Sequence, residues 1–231
     1  MNPLNAYRHL RTVRSWNEMT ALASVAIVLL AQALLAPAYA DSADWPLTPA
    51  ELARLREGAV LVSAELANDR SSGDVRAAVQ IRETPERVFR TLTDCTKALQ
   101  FVPHLQHCAV LGTAPDGAWE EVEHKIHYGW FMPHAQYVFH ADYEHFSRIR
   151  ISNVRGDFRE HSGLWEFRPL EGGTATLVTY RVHLVPRFFV PRLVMRSILK
   201  RDLPELMKGL RQQAEPPASG ATAVPEAPTA R

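Results

Sequence analysis

Ten histidines and two cysteines are the residues of this 231-residue chain with most scope for chemistry. His104 and His107 form an H-x-x-H pair, and His124, His127, His134, His140 and His145 follow. A zinc site needs three or four such ligands brought together. His124 and His127 are an odd number of residues apart, so an extended strand sends them to opposite faces. His134 and His140 share a face but lie roughly 20 Å apart along it. Without H-E-x-x-H or a tight Cys/His cluster, no metal site is expected; these histidines read as polar decoration or as a lone cavity histidine.

The carboxylates do not make a convincing acid–base pair either. Asp157 and Glu160 flank a turn, and Glu120, Glu121 and Glu123 crowd one strand, as a solvated face would. Glu123, His127, Arg150, Glu166 and Arg181 would line a pocket only if the strand register turned them inward. G-x-S-x-G, phosphate-loop and dinucleotide motifs are absent. No catalytic residue and no cofactor is therefore assigned.

Compartment decides the reading of the cysteines. Arg8, Arg11 and Arg14 precede an apolar run from Ala21 to Ala36 and then Ala38-Tyr39-Ala40, the layout of a secretory signal peptide. Sixteen apolar residues are short for a membrane span. Residues 1–40 are expected to be a leader cleaved after Ala40, with a retained membrane anchor as the alternative, and the protein to be periplasmic. Cys95 and Cys108, both in the exported part, then read as a disulfide. Of 26 basic and 25 acidic residues, the leader holds Arg8, Arg11, Arg14 and Glu18, leaving 23 and 24. That balance excludes the basic footprint of a nucleic-acid binder.

The elements that must position these residues are legible in order. Thr48-Pro49 opens a short helix to Arg56, and 59–66 and 74–82 read as strands, the second with Val75, Ala77, Val79 and Ile81 inward. Thr84-Pro85 caps a helix carrying Val88, Phe89 and Leu92, and Asp94 caps another from Cys95 to Phe101. Strands follow at about 106–113, 118–128, 134–145, 147–154, 158–169 and 174–185, broken by Pro115–Gly117, Gly129–Pro133, Arg155–Asp157 and Glu171–Gly173. Phe188–Gln213 reads as one long helix. Met195, Ile198, Leu199, Leu203, Leu206, Met207 and Leu210 share one side of it, with Arg196, Lys200, Arg201, Lys208 and Arg211 to the sides or behind. Asp202 falls on the apolar side, and Pro204 interrupts the amide ladder. Either the helix kinks or restarts there, or Asp202 projects into a ligand cavity. From Ala214 the Ala/Pro-rich sequence predicts a disordered tail, 214–231.

The expected fold is α+β: a curved antiparallel sheet of about seven strands wrapped round one long C-terminal helix, with two short helices after the first core strand. Residues 74–213 would form that domain, with 41–73 adding a helix and a strand packed on it. Three stretches carry a resemblance to the START-like, helix-grip superfamily of polyketide cyclases, plant pollen allergens and coenzyme Q-binding proteins. They are Glu83–Phe89 leading to Leu92-Thr93-Asp94 and Phe101-Val102-Pro103, then Gly156-Asp157-Phe158 through Gly163-Leu164-Trp165, then Thr176–Tyr180 with Pro186 and the terminal helix.

The resemblance implies a hydrophobic ligand, a lipid, quinone or sterol-like molecule held between sheet and helix. A cyclase or dehydratase acting in the same cavity is the alternative. Alternate turns of a meander lie at one end of the sheet, so Gly129–Pro133, Arg155–Asp157 and Pro186–Pro191 should meet there. That end carries Trp130, Phe131, Met132, Phe188 and Phe189, either a gate and membrane-touching lip or side chains folded back as core. With Phe158, Trp165, Met195 and Leu199 they are the candidate mouth or lining. The basic residues from Arg187 to Arg211 are either solvated helix decoration or a dock for a transient contact with an anionic membrane.

Overall fold

In the computed structural model, which describes residues 45–66, 73–129 and 134–216, capping chemistry sets where each helix begins. α1 (Pro49–Arg56) opens on a closed capping box: Thr48 Oγ1 accepts from Glu51 N at 3.3 Å, and Thr48 N donates to Glu51 Oε2 at 2.8 Å. Thr84 caps α2 (Pro85–Thr93), and Asp94 Oδ1 accepts from Thr96 N and Lys97 N to cap α3 (Cys95–Phe101).

Between and after these helices run β1 (Val60–Leu66), β2 (Gly73–Ile81), β3 (Leu105–Thr113), β4 (Trp119–Ile126), β5 (Ala135–Glu144), β6 (Arg148–Gly156), β7 (Phe158–Leu170) and β8 (Ala175–Pro186). They form one antiparallel sheet in the order β1-β2-β8-β7-β6-β5-β4-β3. The chain leaves β2 through α2 and α3, resumes at the far edge with β3, and meanders back until β8 pairs with β2. β1, added outside β2, brings the sheet to eight strands. The inward positions read from β2 hold: Val75, Ala77, Val79 and Ile81 are buried.

α4 (Arg192–Ala214) is the long helix that the curved sheet holds. It begins at Arg192 rather than Phe188, because Pro191 occupies the N-cap and a residue preceding proline is pushed out of the helical region. It runs through Pro204 without restarting and ends at Ala214, where Arg87 Nε donates to the terminal carbonyl at 3.1 Å. Leu199, Leu203, Met207 and Leu210 are buried. α3 packs closely on α4 because Gly209 has no side chain: a Cβ there would lie 2.8 Å from that of Phe101. The leader, residues 1–40, the turn at 69–72 and the tail from 217 lie outside the described residues.

A disulfide joins Cys95, the first residue of α3, to Cys108 of β3, with the Cα atoms 5.3 Å apart. Closing a loop of this size removes unfolded-chain entropy worth about 3 kcal/mol. Reduction should therefore lower the melting temperature by roughly 6–12 °C for a domain of this length. A thermal scan with and without reductant checks this, and equal melting temperatures would refute it.

Candidate ligand-binding site

The concave face of the sheet, α2, α3 and one turn of α4 line a cavity of about 140 Å³. Its floor is Val122 and His124 of β4, Tyr137, Phe139, Ala141 and Tyr143 of β5, Ile149 and Ile151 of β6, His161 and Trp165 of β7 and Tyr180 of β8. Strand alternation places these residues inward, and cross-strand neighbours such as His124↔Tyr137 and Trp165↔Tyr180 stand side by side. The roof is Leu92, Thr93, Ala98, Val102 and Leu206, with both cysteines, Cys95 and Cys108, in the wall. The volume is close to the roughly 150 Å³ at which an apolar protein cavity accepts benzene.

Few polar groups interrupt this lining. His124 Nδ1 lies 3.2 Å from the Tyr137 hydroxyl, and Tyr143 donates to Glu120 Oε2 at 2.8 Å. Tyr180 stacks on Trp165 with ring centroids 3.9 Å apart. His161 is packed by the rings of Tyr137, Phe139 and Phe158, and its Nδ1 has no hydrogen-bond partner among the described residues.

Burial dominates the acid–base behaviour. It drives His124 down to about 4, with His161 and His107 adding smaller like-charge effects, and it alone drives His161 down to about 4. Burial likewise raises the Tyr137 and Tyr180 phenols. At neutral pH the lining thus offers neutral imidazoles and protonated phenols.

Residues 81–211 match the protein family described as polyketide cyclase / dehydrase and lipid transport. The chain belongs to that family. Solved structures of similar fold include the STAR-related lipid transfer protein of Xanthomonas axonopodis (19% identity, 67% of this chain and 93% of that one, TM-score 0.57). The human StarD13 lipid transfer and protein localization domain matches at 10% identity over 74% of this chain and 98% of that one, TM-score 0.54. The Zhui aromatase/cyclase of a Streptomyces species matches at 13% identity over 62% and 93%, TM-score 0.53. No curated protein matches the sequence.

The site candidates read from the sequence of this family member fall in different places. Trp165 is in the cavity wall. Phe158 is not in the lining but packs against Tyr137 and His161, which are. Met195 and Leu199 pack on Val75 and Val182, away from the cavity; the helical residue that reaches the lining is Leu206. Phe188 is half-buried and Phe189 is 77% exposed. Trp130, Phe131 and Met132 lie outside the described residues. The other two turns of that end do meet, and at the start of β5: Asp157 N donates to Gln136 O at 2.9 Å, and Arg187 N to Asp157 O at 2.8 Å.

Asp202 does not enter the cavity. It is buried against its own helix and the loop before β3, with Oδ1 accepting from Arg201 Nε at 2.8 Å and Oδ2 3.7 Å from His104 Nε2. Glu123, His127, Arg150, Glu166 and Arg181 are outside it as well, because each strand neighbour of an inward residue must face the other way. Glu123, for example, pairs with Gln136 and His107 on the outer face. His161 escaped the sequence reading although it is four residues, two full strand periods, before Trp165. That spacing was the available signal.

Proposed function

We propose that this is an exported binding protein that holds a hydrophobic small molecule, a lipid, quinone or sterol-like compound, and transfers it to or from a membrane. The observation that carries the reading is the roofed apolar cavity with an aromatic floor, in a family whose description includes lipid transport. At about 140 Å³ the cavity admits one ring or part of a chain, so a larger occupant must either extend out through its open side or lift the roof of α3 and α4. Phe189, exposed next to the basic start of α4, supports a transient membrane contact at the mouth. The leader at 1–40 and the disulfide support residence in the periplasm.

A second reading, a cyclase or dehydratase, is favoured by one observation: the His124–Tyr137 contact and His161 are acid–base side chains inside the cavity. Native mass spectrometry of the purified protein separates the two. A co-purifying hydrophobic molecule supports carriage. An empty cavity together with turnover of an aromatic polyketide substrate would overturn it.

A further inference from the structure

His161 is 7% exposed, and three aromatic rings hold its imidazole on the cavity wall with Nδ1 unpaired among the described residues. A buried polar atom without a partner costs stability, and a cavity built for hydrocarbon alone would be better served by Phe or Leu at this position. The other polar groups nearby, His124 and the hydroxyls of Tyr137 and Tyr180, carry no charge either. No Lys, Arg, Asp or Glu belongs to the described lining. A carboxylate or phosphate placed there would lose its hydration and gain no counter-charge.

Resting on the cavity reading above, we infer that the ligand enters as an uncharged ring bearing one neutral oxygen, a hydroxyl or a carbonyl, and that the His161 imidazole, which lines the cavity, binds that oxygen. The imidazole suits either source: one ring nitrogen of a neutral histidine donates and the other accepts, and burial keeps the ring neutral at pH 7.5.

Four single-ring probes test this by NMR titration of the full chain at pH 7.5: toluene, p-cresol, p-tolualdehyde and p-toluate. Moving a hydroxyl or carbonyl out of water without a new hydrogen bond is unfavourable, so an indifferent cavity would bind toluene best. The inference expects p-cresol or p-tolualdehyde to bind at least as tightly as toluene, and p-toluate more weakly than all three. Which of the two oxygenated probes wins identifies the oxygen. His161→Phe should weaken that probe roughly tenfold, the worth of one hydrogen bond, while toluene changes less than about threefold. His161→Leu repeats the comparison with a different side chain. Toluene binding better than both oxygenated probes, tight p-toluate binding, or no loss in the variants overturns the inference and leaves the cavity reading intact. Failure of all four probes to bind overturns both.

Discussion

Replacing Gly156 by alanine is expected to destabilise the domain by about 5 kcal/mol, close to the whole stability of many domains. Gly156 sits at φ +118°, and a Cβ built on it would overlap the carbonyl oxygen of Gln136 and stand 2.5 Å from Tyr137 Cα. Both obstacles are backbone of β5, which cannot rotate aside as a side chain can. Strain at such a φ costs about 1–3 kcal/mol, and overpacking adds about 1–3 kcal/mol or more. The bulge on β6, where Val154 is the extra residue between the partners of Val138 and Phe139, would also have to move. With it would go the bonds that Asp157 N makes to Gln136 O and that Arg187 Nε makes to Gly156 O, both 2.9 Å.

At this chain length, 5 kcal/mol corresponds to a melting temperature lower by roughly 10–20 °C. Gly172 supplies the control. Its φ is +68°, with nothing within 4 Å of a built Cβ, so Gly172→Ala carries only strain of about 1 kcal/mol. Melting of Gly156→Ala within 3 °C of the parent would refute the account. The functional consequence follows from Tyr137, the residue Gly156 abuts, which is also the hydrogen-bond partner of His124 in the cavity.

Gly156 illustrates what a sequence discloses. The Gly-Asp-Phe stretch was readable as a turn, and its convergence with Pro186–Pro191 followed from strand parity alone. Caps were equally legible, since Thr48, Thr84 and Asp94 act within three residues of themselves. The cavity depended on information of another range. Which face a strand residue takes is fixed by pairing, and pairing slips at bulges between Leu105 and His107, Val110 and Gly112, Val138 and Phe139, and Phe158 and Glu160. One of these lets Phe158 share a face with His161, three residues on, which simple alternation forbids. Helix position is just as non-local. The apolar stripe of α4 was correct as a stripe, but only packing decides that Leu199 and Leu203 meet Val75 and Val182 while Leu206 reaches the cavity. Asp202 was visibly anomalous from its neighbours; its partner His104 lies 98 positions away and could not be named from them.

Acidification should unfold this protein earlier than its carboxylates alone would require. His124 and His161 have ordinary values of 6.5 in the unfolded chain and about 4 when buried in the cavity wall. Between those values the unfolded state binds protons that the folded state refuses, so stability rises with pH across that window. Above pH 6.5 both states hold neutral imidazoles and the effect is absent. As pH falls from 6.5 towards 4, each histidine removes up to about 3 kcal/mol, and below 4 its loss levels off.

Carboxylates outside the cavity behave differently in range. Glu123, held below the usual carboxylate value first by its bond to Gln136, and Glu144, held down first by Arg150, weaken the fold only as pH falls from the ordinary carboxylate value of 4.5 through their lowered ones. Urea unfolding from pH 8 to 4 should therefore show a plateau, then a decline beginning near pH 6.5. His161→Phe removes one of the two groups and an unpaired buried nitrogen together. It should leave stability at pH 7.5 equal or higher by about 1–3 kcal/mol, and roughly halve the decline between pH 6.5 and 4.5. A parent protein equally stable at pH 7.5 and 4.5 would show that these imidazoles are hydrated and that the cavity is wet. An unchanged slope in the variant would place the proton uptake elsewhere.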